Sequence, residues 1–428
     1  MGNSGIALKM DRAANAWIFE TAFVGLLLLV FVGVTPFAVR NSANVTVGAG
    51  EAAGSGDMLR QLLYFAVFVA TLFGAYVKRG RTFLDSIPIL LAVLLAWCVV
   101  TAVLSGEPGI AIRRAGLETI LVVSVMLGVD NVGAERALKL LCYVLIGVLV
   151  VNWISIPLLS QAIHQPGDVE TEVVGDWRGL YFHKNIAGGA CAISILLFIY
   201  CAIAEKRPLL YGALATAAAG FLWMTHSKSS LGLLPVAVAS GGIYWLGWRR
   251  GIDRAITGVS ALLIVFVLGA LLFIYLGAVE QALSDPSQFT GRSAIWQGEL
   301  AFITDHPFFG AGFGTFADAG KLSPLHPYVG GWVNKAAQGH NGYLEVAMTT
   351  GLIGLALAIF VFIAQPAWSF WRRGDMEPLF KALLFALFVF CVLHNFMESD
   401  FLAGDGLVWT ALLLTLAMLR NAREQARI

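Results

Sequence analysis

Apolar runs of about 20 residues, the length that crosses a bilayer, follow one another along almost the whole chain. Twelve runs predict spanning helices: 17–39, 58–77, 84–104, 111–129, 137–159, 186–204, 209–226, 231–247, 255–277, 341–364, 379–396 and 404–420. The first run is too long for a signal-peptide core and no clear cleavage site follows it, so we expect it to be retained. The pattern predicts an all-α polytopic membrane protein.

The composition agrees with a single integral membrane domain over residues 1–428. Hydrophobic residues make up 58% of the chain, charged residues make up 13%, and the mean hydropathy is +0.78. A soluble domain contains about 25% charged residues. The 28 basic and 27 acidic residues nearly balance, which gives no reason to expect a nucleic acid partner. All five cysteines lie inside apolar runs, so we expect them to be small core residues.

Basic residues predict the orientation of the spans. Eighteen of the 28 lie in alternate connections or at the termini: Lys9, Arg12, Lys78, Arg79, Arg81, Arg136, Lys139, Lys206, Arg207, Arg249, Arg250, Arg254, Arg372, Arg373, Lys381, Arg420, Arg423 and Arg427. Because cytoplasmic connections carry an excess of Lys and Arg, these connections and both termini are predicted to be cytoplasmic. The long polar loop 278–339 is then external, and periplasmic in a cell with two membranes.

The remaining basic residues lie on the predicted external side, several of them beside span ends: Arg40, Arg60, Arg113, Arg114, Arg178, Lys184, Lys228, Arg292, Lys321 and Lys335. An unpaired cation toward the bilayer centre costs at least about 2.5–3.5 kcal/mol. An anionic partner at the outer surface accounts for this set. The alternative for each residue is snorkelling to lipid phosphates.

Arg292 lies at the start of a predicted short amphipathic helix, 291–304, with Thr290 as a plausible N-cap. Ile295, Trp296, Leu300 and Ile303 fall at helical spacing, and Pro307 disfavours helix before it. Free N–H groups at a helix start together with a guanidinium form a phosphate site. The alternative is an ordinary solvated arginine.

Two further groups of cations have a functional and a structural interpretation. Lys228 lies in a tight turn between two spans, where it either meets a diphosphate near the headgroups or belongs to a simple capping hairpin. Arg178 and Lys184 precede the sixth span in an acidic loop, where they bind either a diphosphate or the loop acids. We include Arg113 and Arg114 among the diphosphate candidates.

His340 is the best acid–base candidate, because a histidine with a pKa near ~6.5 accepts a proton at ambient pH. It lies at a predicted external helix start. The alternative is a helix-terminal histidine that bonds to the backbone, with Asn341 as the cap. The glycine-rich run from Gly310 to Gly314 lacks the ending of a P-loop and is predicted to be a turn.

These residues form an ordered set of motifs that resembles the O-antigen ligase and Wzy-type polymerase superfamily over about residues 175–400. The motifs are Gly179-Leu-Tyr-Phe-His183-Lys184-Asn185, Ser227-Lys228-Ser229, Arg292-x-x-x-Trp296, His306-Pro307-x-x-Gly310-x-Gly312-x-Gly314, His340-Asn341-x-x-Leu344-Glu345 and Asn395-Phe-Met-Glu398-Ser399. His183-Lys184-Asn185 favours the exopolysaccharide-polymerase branch. Lys228 stands where ligases often have arginine, which weakens the ligase interpretation.

The resemblance implies a helical, GT-C-like membrane glycosyltransferase of the bacterial inner membrane that takes its glycan from undecaprenyl diphosphate, without metal or cofactor. Lys228, Arg292 and His340 would be its functional basic residues. We expect Arg292 and Lys228 to stabilise the departing diphosphate, and His340 to accept the proton of the acceptor hydroxyl.

Several acidic and loop residues are expected to assist these three. Glu345, Glu398 or Asp400 would orient His340 or replace it as the base. Among the residues expected near the substrate are Asn341, Trp296, Asp318, Lys321, Tyr328 and Trp332, although interfacial aromatic residues are more often lipid anchors.

Three functions compete on the sequence. The first is a polymerase that moves a growing glycan onto the next lipid-linked repeat unit. The second is a ligase that moves the finished glycan onto lipid A-core or protein. The third is a transporter, which is disfavoured because the spans show no two-fold repeat and the large loop has no counterpart in the first half. An inactive scaffold is less favoured still.

The predicted orientation is testable directly. A reporter fused near Gly320 should report an external location, because the positive-inside rule places 278–339 outside. Alkaline phosphatase and a cytoplasm-dependent fluorescent protein, fused in parallel, measure this. A cytoplasmic signal near Gly320 would contradict the orientation of all spans.

Overall fold

Long helices form most of the chain that the structure describes. The computed structural model describes residues 12–38, 57–166, 168, 171–249, 292–315, 324–330, 339–372 and 376–425. Its helices are α1 (Arg12–Phe31), α2 (Met58–Arg79), α3 (Ile89–Val103), α4 (Pro108–Val132), α5 (Ala134–Leu158), α6 (Lys184–Ala204), α7 (Pro208–Thr225), α8 (Lys228–Arg249), α9 (Arg292–Asp305), α10 (Gly342–Ile359), α11 (Gln365–Trp371), α12 (Pro378–His394) and α13 (Leu407–Gln425). Within these ranges no strand forms, and the backbone has only isolated bridges, one of them between Ile163 and Trp177.

The helices agree with an all-α polytopic membrane protein. In the part of the chain that the structure describes, six helical stretches are long and apolar enough to cross a membrane: Met58–Ser86, Ala134–Leu158, Lys184–Ala204, Pro208–Thr225, Lys228–Trp248 and Gly342–Trp371. Three shorter apolar helices are Trp17–Phe31, Ile89–Val103 and Pro378–His394. Helices also cover the predicted run 111–129 and residues 407–420 of the predicted run 404–420, whereas the run 255–277 lies outside the described residues. A count of twelve spans therefore stays a prediction.

Local sequence signals explain where several helices begin. Asp57 caps α2, because its carboxylate accepts a hydrogen bond from the backbone N–H of Arg60 at 3.0 Å. Pro108, Pro208 and Pro378 are the first residues of their helices, where the missing N–H has no intrahelical partner to lose. The five cysteines are buried, which confirms their prediction as small core residues.

The bounds of α9 agree with the predicted helix 291–304 to within one residue, but the predicted apolar face is wrong in part. Ile295 and Ile303 are buried, whereas Leu300 is 44% exposed. Phe302 and Glu299 occupy the buried face instead. The reason is that α9 packs on α10 and on the segment 324–330, which bury a different stripe from the one that the spacing of apolar residues suggested.

The glycine-rich stretch forms a turn, as predicted, and docks against a break in α10. The break is at Gly351, whose φ of +73° lies in the left-handed region. A side chain there would meet the carbonyl oxygen of Phe308 at 2.0 Å. The backbone N–H of Leu352 donates to Pro307 O at 2.7 Å, and that of Ala311 donates to Met348 O at 2.8 Å. This pairing fixes the end of α9 against α10.

Candidate functional site

A short polar turn after α12 carries the carboxylate on which the candidate site is built. Asn395 holds the turn, because its side-chain oxygen accepts hydrogen bonds from the backbone N–H of Asp400 (3.2 Å) and of Phe401 (2.7 Å). The start of α10 is tied to the same turn, since Gly342 N–H donates to Asn395 O at 2.8 Å and to Glu398 O at 3.1 Å. His340, just before α10, is thereby brought beside Glu398.

Glu398 accepts hydrogen bonds from side chains of four separate segments. Its Oε1 accepts from Asn185 Nδ2 at 2.8 Å, from Arg292 Nη2 at 3.0 Å and from Ser229 Oγ at 3.5 Å. Its Oε2 faces His340 Nδ1 at 3.0 Å. We call these five residues the Glu398 cluster: Asn185, Ser229, Arg292, His340 and Glu398. The cluster joins the starts of α6, α8, α9 and α10 to the turn after α12.

Glu398 is buried and ionised. Its side chain is only 8% exposed, and burial by itself would raise its pKa. The hydrogen bond from His340 and the positive charges of Arg292, His340 and His394 outweigh the burial and lower the pKa of Glu398 to about 2. The cluster is therefore an anion paired with the guanidinium of Arg292 and satisfied by further hydrogen-bond donors, as a buried charge requires.

Arg292 is the first residue of α9, as the sequence predicted, and its predicted cap Thr290 lies outside the described residues. Its side chain is 14% exposed and is fixed at two points: Nη2 on Glu398, and Nη1 on the carbonyl oxygen of Met397. A guanidinium has five N–H donors. Arg292 is thus held rigidly at a helix start, where backbone N–H groups also favour anions.

His340 has a left-handed backbone conformation, with φ of +52°, which is uncommon for a residue other than glycine. Its ring faces Glu398 through Nδ1. Because a carboxylate only accepts hydrogen bonds, this contact places the proton of the imidazole on Nδ1 and makes Nε2 the basic nitrogen of the neutral ring. The arrangement is that of a histidine base oriented by a carboxylate.

Lys228 is the first residue of α8 and directly precedes Ser229 of the cluster. Its side chain is exposed, and it forms no hydrogen bond or ion pair with any residue that the structure describes. The preceding turn is tight: His226 has φ of +49°, and Ser227 N–H donates to Thr225 Oγ1 at 3.2 Å. The turn therefore presents an exposed cation one residue before Ser229 of the Glu398 cluster.

Residues around His340 support the backbone on both sides of it. Asn341 caps α10 by accepting from the N–H groups of Tyr343 and Leu344, as its structural interpretation predicted. Glu345 Oε2 accepts from Gly339 N–H at 3.2 Å, and Trp296 Nε1 donates to Gly339 O at 2.9 Å. Both of these contacts are to Gly339, the residue before His340. The predicted substrate residue Asp318 lies outside the described residues.

Arg178 and Lys184 contact the acidic loop, as their structural interpretation predicted. Arg178 is buried, donates to the carbonyl oxygens of Gln161 and Phe182, and lies 3.7 Å from Asp168. Lys184 Nζ pairs with Asp176 Oδ2 at 2.5 Å. Arg178 is buried and is held by backbone carbonyl groups through Nε and Nη1, whereas its Nη2 has no hydrogen-bond partner among the described residues. We therefore leave both residues out of the diphosphate site proposed below.

Arg113 and Arg114 lie on α4, near its start. Arg114 donates to the carbonyl oxygen of Gly314, at the end of the glycine-rich turn. Both residues have interaction partners. This contact gives Arg114 a role in docking the turn, and we do not include the pair in the diphosphate site proposed below.

Sequence reasoning missed a second polar chain beside the cluster. His394 Nδ1 contacts Asp400 Oδ2 at 2.7 Å, and its Nε2 lies 3.4 Å from Ser230 Oγ. His394 is 2% exposed and fixes the turn of Glu398 to α8. The sequence feature that could have identified His394 is its position at the end of an apolar run, six residues before Asp400. Among the described residues, no group of three or more His, Cys, Asp or Glu side chains is arranged to hold a metal ion.

A comparison with known families identifies the same region. A family model described as O-antigen ligase matches residues 212–359. The matched stretch contains Lys228, Arg292, His340 and Glu345, and it ends before Glu398. The match confirms the resemblance found in the motifs, over a shorter stretch than the motifs themselves cover. No curated protein matches the sequence.

The low pKa of Glu398 predicts a pH-dependent loss of stability in Glu398→Gln. A carboxylate whose pKa falls from 4.5 to about 2 on folding adds about 3 kcal/mol of stability above pH 4.5, and this is lost as the pH falls toward 2. Glu398→Gln should therefore melt at a lower temperature than wild type near pH 7, and the difference should narrow below pH 4.5. Thermal unfolding of the purified protein in detergent measures this.

The matched control is Glu135→Gln, which removes a carboxylate from an exposed position on α5. We expect this variant to melt close to wild type. A melting difference for Glu398→Gln that does not change between neutral and acidic pH would contradict an ionised Glu398.

Proposed function

We propose that this membrane protein transfers a glycan from undecaprenyl diphosphate to an acceptor sugar hydroxyl on the outer side of the bacterial inner membrane. The match of residues 212–359 to a family described as O-antigen ligase supports this proposal. One observation carries the proposal: a buried carboxylate holds Arg292 and His340 together, within 3.0 Å of each. An anion-binding cation and an oriented base are the two groups that such a transfer requires.

The predicted external location of the cluster favours a lipid-linked donor. No nucleotide-sugar pool exists outside the cytoplasm, so an activated sugar arrives there on a lipid diphosphate. Arg292 at a helix start and exposed Lys228 beside it would bind that diphosphate. Negative charge grows on the diphosphate as the bond to the sugar breaks, and preorganised cations stabilise this charge without reorganisation.

His340 would act as the general base. The acceptor hydroxyl attacks the anomeric carbon, its proton moves to His340 Nε2, and the bond from that carbon to the diphosphate oxygen breaks, with the electron pair leaving on the diphosphate. Glu398 on Nδ1 keeps the ring in the correct tautomer and stabilises the imidazolium that forms. Glu345 supports the histidine through Gly339.

We propose polymerisation of lipid-linked repeat units as the reaction, with ligation of the finished glycan to lipid A-core or protein as the second candidate. The motif His183-Lys184-Asn185 favours the polymerase, and its Asn185 bonds to Glu398 directly. Lysine at position 228 also weakens the ligase interpretation. The family match gives no support to a transporter, because it is to a family described as O-antigen ligase.

The experiment is complementation of a strain that lacks the protein, read out as the size distribution of lipid-diphosphate-linked glycans. Single repeat units should accumulate in the strain, and wild type should restore long chains. Arg292→Ala and His340→Ala should each fail to restore them at normal membrane abundance, since each lost contribution is worth roughly 100-fold or more in rate. Arg207→Ala removes an exposed arginine elsewhere and should complement fully.

The other outcomes have distinct meanings. If long chains stay on the carrier in the deletion strain but never reach a final acceptor, the protein is a ligase and not a polymerase. An unchanged distribution in the deletion strain, or full complementation by His340→Ala, would contradict the proposed function or the role of that residue.

A further inference from the structure

Glu299, in the middle of α9, is a buried carboxyl group that the proposed reaction does not use. Its relative exposure is 0%, and neither of its oxygens has a hydrogen-bond partner among the residues that the structure describes. A buried polar atom without a partner is rare, and an unpaired buried charge is far more costly than an unpaired neutral group. The position of Glu299, seven residues after Arg292 on the same helix, places it beside the chain that leads to His340.

The surroundings of Glu299 favour its neutral form. On its own helix it lies among the buried residues Ile295, Phe302 and Ile303, part of an apolar cluster shared with α10. The titratable groups on the elements packed there are Glu345 on α10, His340 after Gly339, and His326 and Tyr328 on the segment 324–330. Burial, followed by the negative charge of Glu345, raises the pKa of Glu299 well above its usual value.

Glu299 also closes one side of a clamp around Gly339. Gly339 N–H donates to Glu345, and Gly339 O accepts from Trp296. A side chain on Gly339 would lie 2.1 Å from Glu299 Oε1, so the carboxyl group fills the space against its α-carbon. The clamp therefore fixes Gly339, and Gly339 directly precedes the left-handed backbone of His340.

We propose that Glu299 is a neutral carboxylic acid that positions His340 by keeping Gly339 clamped between α9 and α10. An ionised Glu299 would repel Glu345 inside an apolar pocket, and the hydrogen bond from Gly339 to Glu345 would be lost as the two carboxylates separate. Glu299 touches no reacting atom and is a positioning residue. The inference rests on the proposed function, because that function gives His340 its role.

The first test needs no turnover and compares thermal unfolding of wild type and Glu299→Gln across pH. Glutamine has the shape of the neutral acid and cannot ionise. A carboxyl group that is neutral in the folded protein and ionised in the unfolded protein lowers the stability of the fold as the pH rises above the pKa of the group in the unfolded state. The melting temperature of Glu299→Gln should therefore rise relative to wild type as pH increases from about 4.3 upward. A difference independent of pH would overturn the inference.

The second test is the pH dependence of glycan transfer by the purified protein. At neutral pH, Glu299→Gln should have the kcat of wild type. As the pH becomes alkaline, the kcat of Glu299→Gln should fall less than that of wild type. Glu299→Ala leaves a gap beside Gly339 and should lower kcat roughly 10- to 100-fold with little change in KM, because a misplaced base costs rate without weakening substrate binding. Leu300→Ala, an exposed neighbour, is the control.

The two tests separate the inference from the proposed function. If Glu299→Gln lost as much kcat as Glu299→Ala, an ionisable carboxyl would be required and the neutral-acid inference would fail, with the proposed function intact. If wild type transferred no glycan, the proposed function would fail, and the melting profile would still decide whether Glu299 is neutral.

Discussion

Burial of the Glu398 carboxylate is the constraint on which the rest of the site depends. A carboxylate taken out of water requires hydrogen bonds and positive charge around it. Asn185, Arg292 and His340 supply them from segments that are 213, 106 and 58 residues away along the chain. The starts of four helices therefore meet at one anion, because each supplies a group that hydrogen-bonds to it. The turn fixed by Asn395 holds that anion between them.

The same contacts give the site its chemical properties. Glu398 holds Arg292 rigidly, so the cation is in place before any negative charge develops on a donor. It also fixes the tautomer of His340, whereas a histidine in water exchanges between its two tautomers. Lys228, one residue before Ser229, is an exposed cation that is next to the cluster along the chain. In the proposed reaction, one structural anion would thus organise both the anion-binding group and the base.

The sequence predicted most of the helices and the two central residues, because both depend on local signals. Apolar runs mark helices, and Arg292 and His340 stand out as polar residues at helix starts. The partners were harder to predict, since contacts between distant segments leave no local pattern. Arg178 and Lys184 had two interpretations that only their contacts distinguish. The exposure of Leu300 and the burial of Glu299 follow from packing on α10, which spacing within α9 does not reveal.

The most direct test is a double-mutant cycle on the transfer rate of the purified protein, with Glu398→Gln, His340→Gln and the double variant. If Glu398 acts by orienting His340, the double variant should be no slower than His340→Gln alone, because residues that act as a unit are strongly non-additive. Independent losses that multiply in the double variant would show that Glu398 and His340 contribute separately. That result would contradict a site organised by the carboxylate.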